Sequence, residues 1–248
     1  MQLSLSALCA ISAFLVIKAD EEVPLRPELR RCNRNAEDFS SCLRLAIEEG
    51  WPTIVKGIPE LEIPQLDPFV INSIEQEFHN GILRGKMTVK NSKTFGASGH
   101  RFRSVKAHLE GDRFNIEMDV TVPKILLEGD YKGDGFISAF KIGGKGKFNV
   151  TMEGIRTYFG LEGRVENDRW VIEHFKVLPE ISNMHIWFSD FFNGNQDLNK
   201  AALIFSNQYW PLLYRGMLPY VSQYMDNYLT EFANRIFSKL SFSNTFPS

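Results

Sequence analysis

From about residue 69 to residue 192, polar and apolar side chains alternate with period two, and after Asn193-Gly194 the period becomes that of a helix. No other feature of the chain restricts its fold so strongly. Phe114, Ile116, Met118, Val120 and Val122 interleave with Arg113, Asn115, Glu117, Asp119 and Thr121. Phe148, Val150 and Met152 interleave with Lys147, Asn149, Thr151 and Glu153, and Ile155, Thr157, Phe159 and Leu161 with Arg156, Tyr158 and Glu162. Successive side chains of a strand point to opposite faces, so these runs are strands with one dry face and one wet face, as in an antiparallel sheet. Turn signals stand at Gly111-Asp112, Gly129-Asp130, Gly133-Asp134-Gly135, Gly143-Gly144 and Asn167-Asp168. Their spacing suits a meander of at least eight strands.

From Leu203 to Leu240 the apolar positions follow helical spacing, through Leu213, Met217, Val221, Met225, Tyr228, Phe232 and Ile236. A helix over 209–240 would extend about 45 Å at 1.5 Å per residue. Pro211 suits its first turn, with Ser206 or Asn207 as a cap, and Pro219 is expected to kink it. Tyr214, Tyr220, Tyr224 and Phe237 spread its apolar face around most of the circumference, and such a helix is normally enclosed. The preceding sheet is the element long enough to enclose it. The expected fold is therefore α+β, a long C-terminal helix wrapped by a strongly curved antiparallel sheet. Before the strands, residues 36–49 read as a helix capped by Asp38 or Ser40 and ended by Gly50, and the proline-rich stretch 57–68 reads as an extended connector.

The N-terminus carries a different pattern. Leu3, Leu5, Leu8, Ile11 and Phe14-Leu15-Val16-Ile17 form an apolar run that gives way to Lys18-Ala19-Asp20-Glu21-Glu22. It falls short of the about twenty residues a spanning helix needs. The layout is that of a secretory signal peptide over 1–19, with Ala19 at the cleavage point and without the usual basic start. Residues 20–248 are then a single extracellular domain with no integral membrane anchor. Loss of Lys18 makes the formal charge one unit more negative than the −2 of the whole chain, which gives no electrostatic reason to expect nucleic acid as a partner. Of three cysteines, Cys9 lies in the signal, and the remaining Cys32 and Cys42 read as one disulfide in an oxidising compartment. Asn149-Val150-Thr151 is the one N-glycosylation sequon, making Asn149 the candidate acceptor.

No catalytic constellation emerges. Gly96-Ala97-Ser98-Gly99-His100 lacks the final glycine of a nucleophile elbow, and the five histidines show no metal-ligand spacing. Gly143-Gly144-Lys145-Gly146 falls at a hairpin and not between a strand and a helix, so it is not a phosphate loop. The expectation is no enzyme, no metal and no cofactor. Apolar bulk stands out instead: twenty phenylalanines and seven methionines. A curved sheet around one helix encloses more volume than the helix fills, and flexible methionines suit a surface that must accommodate a ligand.

A series of short motifs now carries a specific resemblance. Cys32 and Cys42 precede a helix; then come Gly57-Ile58-Pro59-Glu60-Leu61-Glu62-Ile63-Pro64-Gln65-Leu66-Asp67-Pro68, Val122-Pro123-Lys124 with Glu128-Gly129-Asp130-Tyr131, and Gly144-Lys145-Gly146-Lys147-Phe148. Phe191-Phe192-Asn193-Gly194 and Asn207-Gln208-Tyr209-Trp210 follow in the same order. In this order the motifs resemble the insect juvenile-hormone-binding/takeout family over almost the whole mature length. The resemblance implies an internal apolar tunnel for sesquiterpenoid, fatty-acid-like or other long lipophiles, and a role in feeding, circadian or chemosensory physiology. With two mature cysteines the chain is closer to takeout members than to the hormone carriers, which typically hold a second disulfide.

Candidate ligand-lining residues are Phe114, Ile116, Met118 and Val120 on one strand run, Phe148, Val150, Met152 and Phe159 on the next, and Met184, Ile186 and Phe188 on a third. Met217 and Val221 supply the facing helical wall. Tyr131, Tyr214, Tyr228 and Trp210 are candidates for orienting a polar end. A monomeric carrier is the leading reading. The alternative is an extracellular signalling protein that holds no ligand and acts through a receptor contact.

Overall fold

In the computed structural model, which describes residues 23–24, 30–80 and 83–248, six antiparallel strands form one curved sheet. The expected signal segment 1–19 lies outside the described residues. Helix α1 (Phe39–Val55) precedes β1 (Phe69–Asn80), β2 (Leu83–Phe95), β3 (Arg101–Glu110), β4 (Arg113–Ile137), β5 (Phe140–Glu166) and β6 (Arg169–Phe188). Helices α2 (Gln196–Gln208), α3 (Trp210–Phe237) and α4 (Phe242–Thr245) follow. The sheet order is β1-β2-β4-β5-β6, and β3 pairs with β4 as well. Because β4 has 25 residues, β3 occupies its first half and β2 its second. The α+β class with a curved sheet and a long C-terminal helix is as expected.

The strand count is not. Gly111-Asp112 and Asn167-Asp168 do turn the chain, between β3 and β4 and between β5 and β6. Gly129-Asp130, Gly133-Asp134-Gly135 and Gly143-Gly144 instead lie inside β4 and β5, paired in register. These glycines serve close approach rather than reversal. A Cβ on Gly85 of β2 would come within 2.6 Å of Cα of Gly135, its cross-strand partner. The true β4–β5 turn is Ser138-Ala139, with Ser138 at φ 56°.

A line of irregularity divides the sheet. Val122 pairs with Ile155 and Lys124 with Glu153, so Pro123 stands opposite Gly154, which has φ 60°. On β6 the same break falls at Ser182, whose hydroxyl donates to the carbonyl of Gly154 at 2.8 Å. Alternation restarts one residue out of phase on both strands, so Ile125, Met152 and Met184 share the inner face with Val122, Ile155 and Ile181.

Helices α2 and α3 cover the free edge of β6 with polar side chains. Asn234 accepts from Ile172 N–H and donates to Ile172 C=O, both at 2.8 Å. Asp226 and Thr230 accept from Phe175 N–H, and Tyr214 donates to Pro179 C=O at 2.7 Å. Asn207 accepts from Ile186 N–H and donates to Ile186 C=O, at 2.9 and 2.8 Å. An edge strand otherwise presents unpaired backbone groups, and here helix side chains satisfy those of Ile172, Pro179 and Ile186 and the N–H of Phe175. Asn207 was expected near a helix cap and serves this edge instead. The helical region divides at Tyr209, with Asn195 capping α2 and Pro211 in the first turn of α3. Pro219 sits inside continuous α3, where the Arg215 carbonyl loses its intrahelical donor.

Helix α1 continues through Gly50 and Pro52 to Val55, six residues beyond its expected end. Tertiary contacts override the local stop: Trp51 donates to Ala97 C=O at 2.9 Å and meets the rings of His100 and Phe102. Neither expected cap forms; Asp38 makes no capping bond, and Ser40 accepts from Ala107 N–H. The disulfide joins Cys32 to Cys42 with the Cα atoms 5.7 Å apart, and Cys32 lies in the core.

Candidate ligand-binding site

The two halves of the inner face differ in how they are filled. In the half before the break, Trp170 is ringed by Phe114, Phe237, Phe242 and Phe246 at centroid distances of 4.8 to 5.1 Å. Phe39 meets Phe246 edge-on, and Ile116, Leu161, Ile172 and Leu240 belong to the same cluster. Helix α4 delivers Phe242 and Phe246, and Asp168 anchors it by accepting from the hydroxyls of Ser241 and Ser243. This end is sealed. In the other half, β1, β2, the end of β4, the start of β5 and the end of β6, only Phe78 and Tyr131 are buried hydrophobics among the described residues.

The sequence candidates divide along the same line. Phe114 and Ile116 belong to the sealed cluster, Met118 packs against it, and Val120 is 0 % exposed. Phe148, Val150, Met152, Met184, Ile186 and Phe188 lie past the break, half-buried, on the inner face. Phe159, on the near side, is also half-buried and stands edge-on to Phe175. Register brings six of them together directly, as Phe148 opposite Phe188, Val150 opposite Ile186 and Met152 opposite Met184. On α3, Met217 and Val221 keep 37 % and 45 % exposure, whereas Tyr228 and Phe232 are half-buried. The helix is thus docked along β6 but is not enclosed around its whole circumference.

A partly open pocket of about 160 Å³ lies at the far end of this second half. Its side-chain walls include Phe78, Met87, Ile142, Phe191 and Met217, with backbone from Gly85, Gly133, Gly135 and Gly143. Of the candidates only Met217 lines it. Phe78 and Met87 lie in the alternating region with nothing in the sequence to distinguish them, and Phe191 stands in a motif that carries the family resemblance. In sequence Gly133, Gly135 and Gly143 read as turns, although the density of glycine is the signal that strands approach closely here.

Two candidate polar anchors are engaged by the fold itself. Tyr131 donates to Ser189 C=O, and burial together with Asp190 pushes its hydroxyl up to about 12. Tyr214 is committed to Pro179, and burial raises it as well. Tyr228 stacks between Tyr224 and Phe232 at 6.2 and 6.4 Å, and Trp210 is half-buried at the start of α3. By contrast, the hydroxyls of Thr157 and Ser222 are buried without a partner among the described residues. Thr157 belongs to the inner-face run and pairs with Pro179.

Two of the five histidines are tied to the scaffold. His174 Nδ1 lies 2.9 Å from Asp226, which also caps Phe175; His100 Nδ1 lies 2.6 Å from Ala97 C=O. No serine or cysteine bonds to a histidine, and no three His, Cys, Asp or Glu side chains converge to hold a metal, among the described residues.

The arrangement has known counterparts. The fold is similar to the crystal structure of Takeout 1 from Epiphyas postvittana, with a TM-score of 0.73 over 88 % of this chain and 100 % of that one at 22 % identity. In sequence the chain is similar to the circadian clock-controlled protein daywake of Drosophila melanogaster, at 22 % identity over 205 residues, 79 % of this chain and 78 % of the relative. The Drosophila yakuba daywake is 22 % identical over 237 residues, 90 % of each chain. The sequence profile described as haemolymph juvenile hormone binding protein (JHBP) matches residues 5–247. The chain therefore belongs to the haemolymph juvenile hormone binding protein family.

Proposed function

We propose that the chain is a secreted, non-enzymatic carrier for one small hydrophobic molecule, a terpenoid, a fatty-acid-like chain or another long lipophile. The ligand lies between α3 and the inner face past the Pro123–Gly154 break, in an elongated cavity walled by Phe148, Val150, Met152, Met184, Ile186 and Phe188 and facing Met217 and Val221. The observation that carries this reading is the contrast between the halves: one is packed shut around Trp170, while the other leaves inward apolar side chains half-buried beside an apolar pocket. Apolar surface in that state gains about 25 cal/mol per Å² when a ligand covers it. Residues 1–19 direct export, and 20–248 act as one monomeric domain. No helix among the described residues is long and apolar enough to cross a membrane. Similarity to two clock-controlled proteins supports a role in biological rhythms.

Met152→Trp tests the location. Met152 stands mid-strand between Ile125 and Met184, so an indole there fills the inner space. Uptake of a fluorescent fatty acid or terpenoid analogue is expected to vanish while the circular dichroism spectrum persists; undiminished binding by the folded variant refutes the location. A receptor-contact protein without ligand is the second reading. It is favoured by exposed Leu198, Ile204, Phe205 and Leu212 on α2 and the start of α3, the last 68 % exposed.

A further inference from the structure

The sequon Asn149-Val150-Thr151 lies in the middle of β5, with Asn149 directly opposite Glu128 of β4 on one side and Trp187 of β6 on the other. Phe148 and Val150 point inward; the Phe148 ring is 3.1 Å from where Gly129, its partner on β4, would carry a Cβ. Asn149, Thr151 and Trp187 therefore share the outer, wet face. Nearby asparagines on the strands are engaged, Asn91 with Asp130 and Asn183 with Glu153. The Asn149 amide has no hydrogen-bond partner among the described residues.

Trp187 is the most exposed of the four tryptophans, at 40 %, on a face that also carries Leu126, Glu128, Lys147, Thr151, Asn183 and His185. It pairs with no aromatic ring or cation among the described residues. Side chains directly opposite on one face have Cβ atoms about 4.5–5.5 Å apart. A sugar on Asn149 Nδ2 is within reach of the indole, and the C–H face of a pyranose is the apolar surface that an amphipathic aromatic ring accepts.

We infer that Asn149 carries an N-linked glycan whose first N-acetylglucosamine lies on the Trp187 indole. This rests on the secretory reading, since only an exported chain meets the donor. In the transfer, the bond from Nδ2 to the sugar C1 forms as the C1–O bond to a polyprenyl-diphosphate donor breaks. Nδ2 gives up one proton and the diphosphate departs. The sugar then covers the one large apolar ring on this part of the wet face.

The test uses the full chain expressed in insect cells. Peptide mapping of the secreted protein is expected to find the glycan on Asn149. Enzymatic removal is expected to lower the Tm by about 2–4 °C in the parent and to leave that of Trp187→Ala unchanged. Oxidation of Trp187 by N-bromosuccinimide, read by peptide mass in the parent alone, is expected to accelerate several-fold once the glycan is removed. Secreted protein with unmodified Asn149 overturns the inference and leaves the carrier reading intact. A glycan whose removal alters neither Tm nor Trp187 oxidation overturns the platform. Retention of an unglycosylated chain inside the cell overturns both the inference and the secretory reading beneath it.

Discussion

Replacing Asn234 with alanine removes the clamp between the end of α3 and the free edge of β6. Its amide makes two bonds of 2.8 Å, one to the N–H and one to the C=O of Ile172, a residue only 3 % exposed. A buried backbone group left without a partner costs about 1–3 kcal/mol. Two such groups, eased by water entering the vacated space, give an expected loss of about 2–4 kcal/mol. Urea unfolding followed by tryptophan fluorescence reads this directly, with the slope m unchanged if only the clamp is lost. The Tm should fall by roughly 4–16 °C for a domain of this size. Asn234→Asp sharpens the test. A carboxylate still accepts from Ile172 N–H but sets a second oxygen against Ile172 C=O, which raises its folded pKa above the unfolded value of about 3.9. A raised pKa contributes stability at low pH that is lost as pH rises through it, so this variant should lie closer to the parent at pH 3.5 than at pH 7. A loss under about 0.5 kcal/mol for Asn234→Ala would refute the reasoning, because Ile172 would then have to be satisfied without the helix.

Further outcomes follow from polar groups elsewhere. Thr157→Val removes a buried hydroxyl without a partner and should raise stability by about 1 kcal/mol in urea unfolding; destabilisation would mean that the hydroxyl is satisfied in solution. Burial pushes the Asp168 carboxyl up, but hydrogen bonds from Ser241 and Ser243 outweigh it and hold the group below its ordinary value. A depressed pKa gives stability that is present above the ordinary carboxylate range and lost as pH falls through the folded value. Asp168→Asn should therefore lower the Tm at pH 7 and flatten its acid decline; a variant with the parent's full pH dependence would exclude Asp168 as a contributor.

The faces of the strands were legible because Phe114–Val122, Phe148–Met152 and Ile155–Leu161 alternate without interruption. Strand number was not, since a glycine in a turn and a glycine where two backbones meet look alike in one sequence. Gly85 and Gly135 are the second kind, while the true turn at Ser138-Ala139 contains no glycine. The long C-terminal helix was visible from its apolar spacing, but the start of α2 at Gln196 was not, because its first residues are mainly polar. The sealing of one half of the inner face was beyond local reading. It depends on Phe242 and Phe246 reaching Phe114 and Trp170 through long-range packing, and nothing in the alternation of β4 distinguishes Phe114 from Met118. The polar edge clamps were hidden for the same reason, as Asn207 reads as a helix cap and Asn234 as ordinary helix surface until β6 lies beside them.

Native mass spectrometry of the protein purified from the extracellular fluid of its source tests the carrier reading most directly. A carrier drawn from that fluid holds its ligand, so the spectrum should contain a species heavier than the bare chain by one apolar molecule, removed by organic extraction and absent from Met152→Trp. Bare protein alone, combined with no uptake of terpenoid or fatty-acid probes on titration, would contradict it.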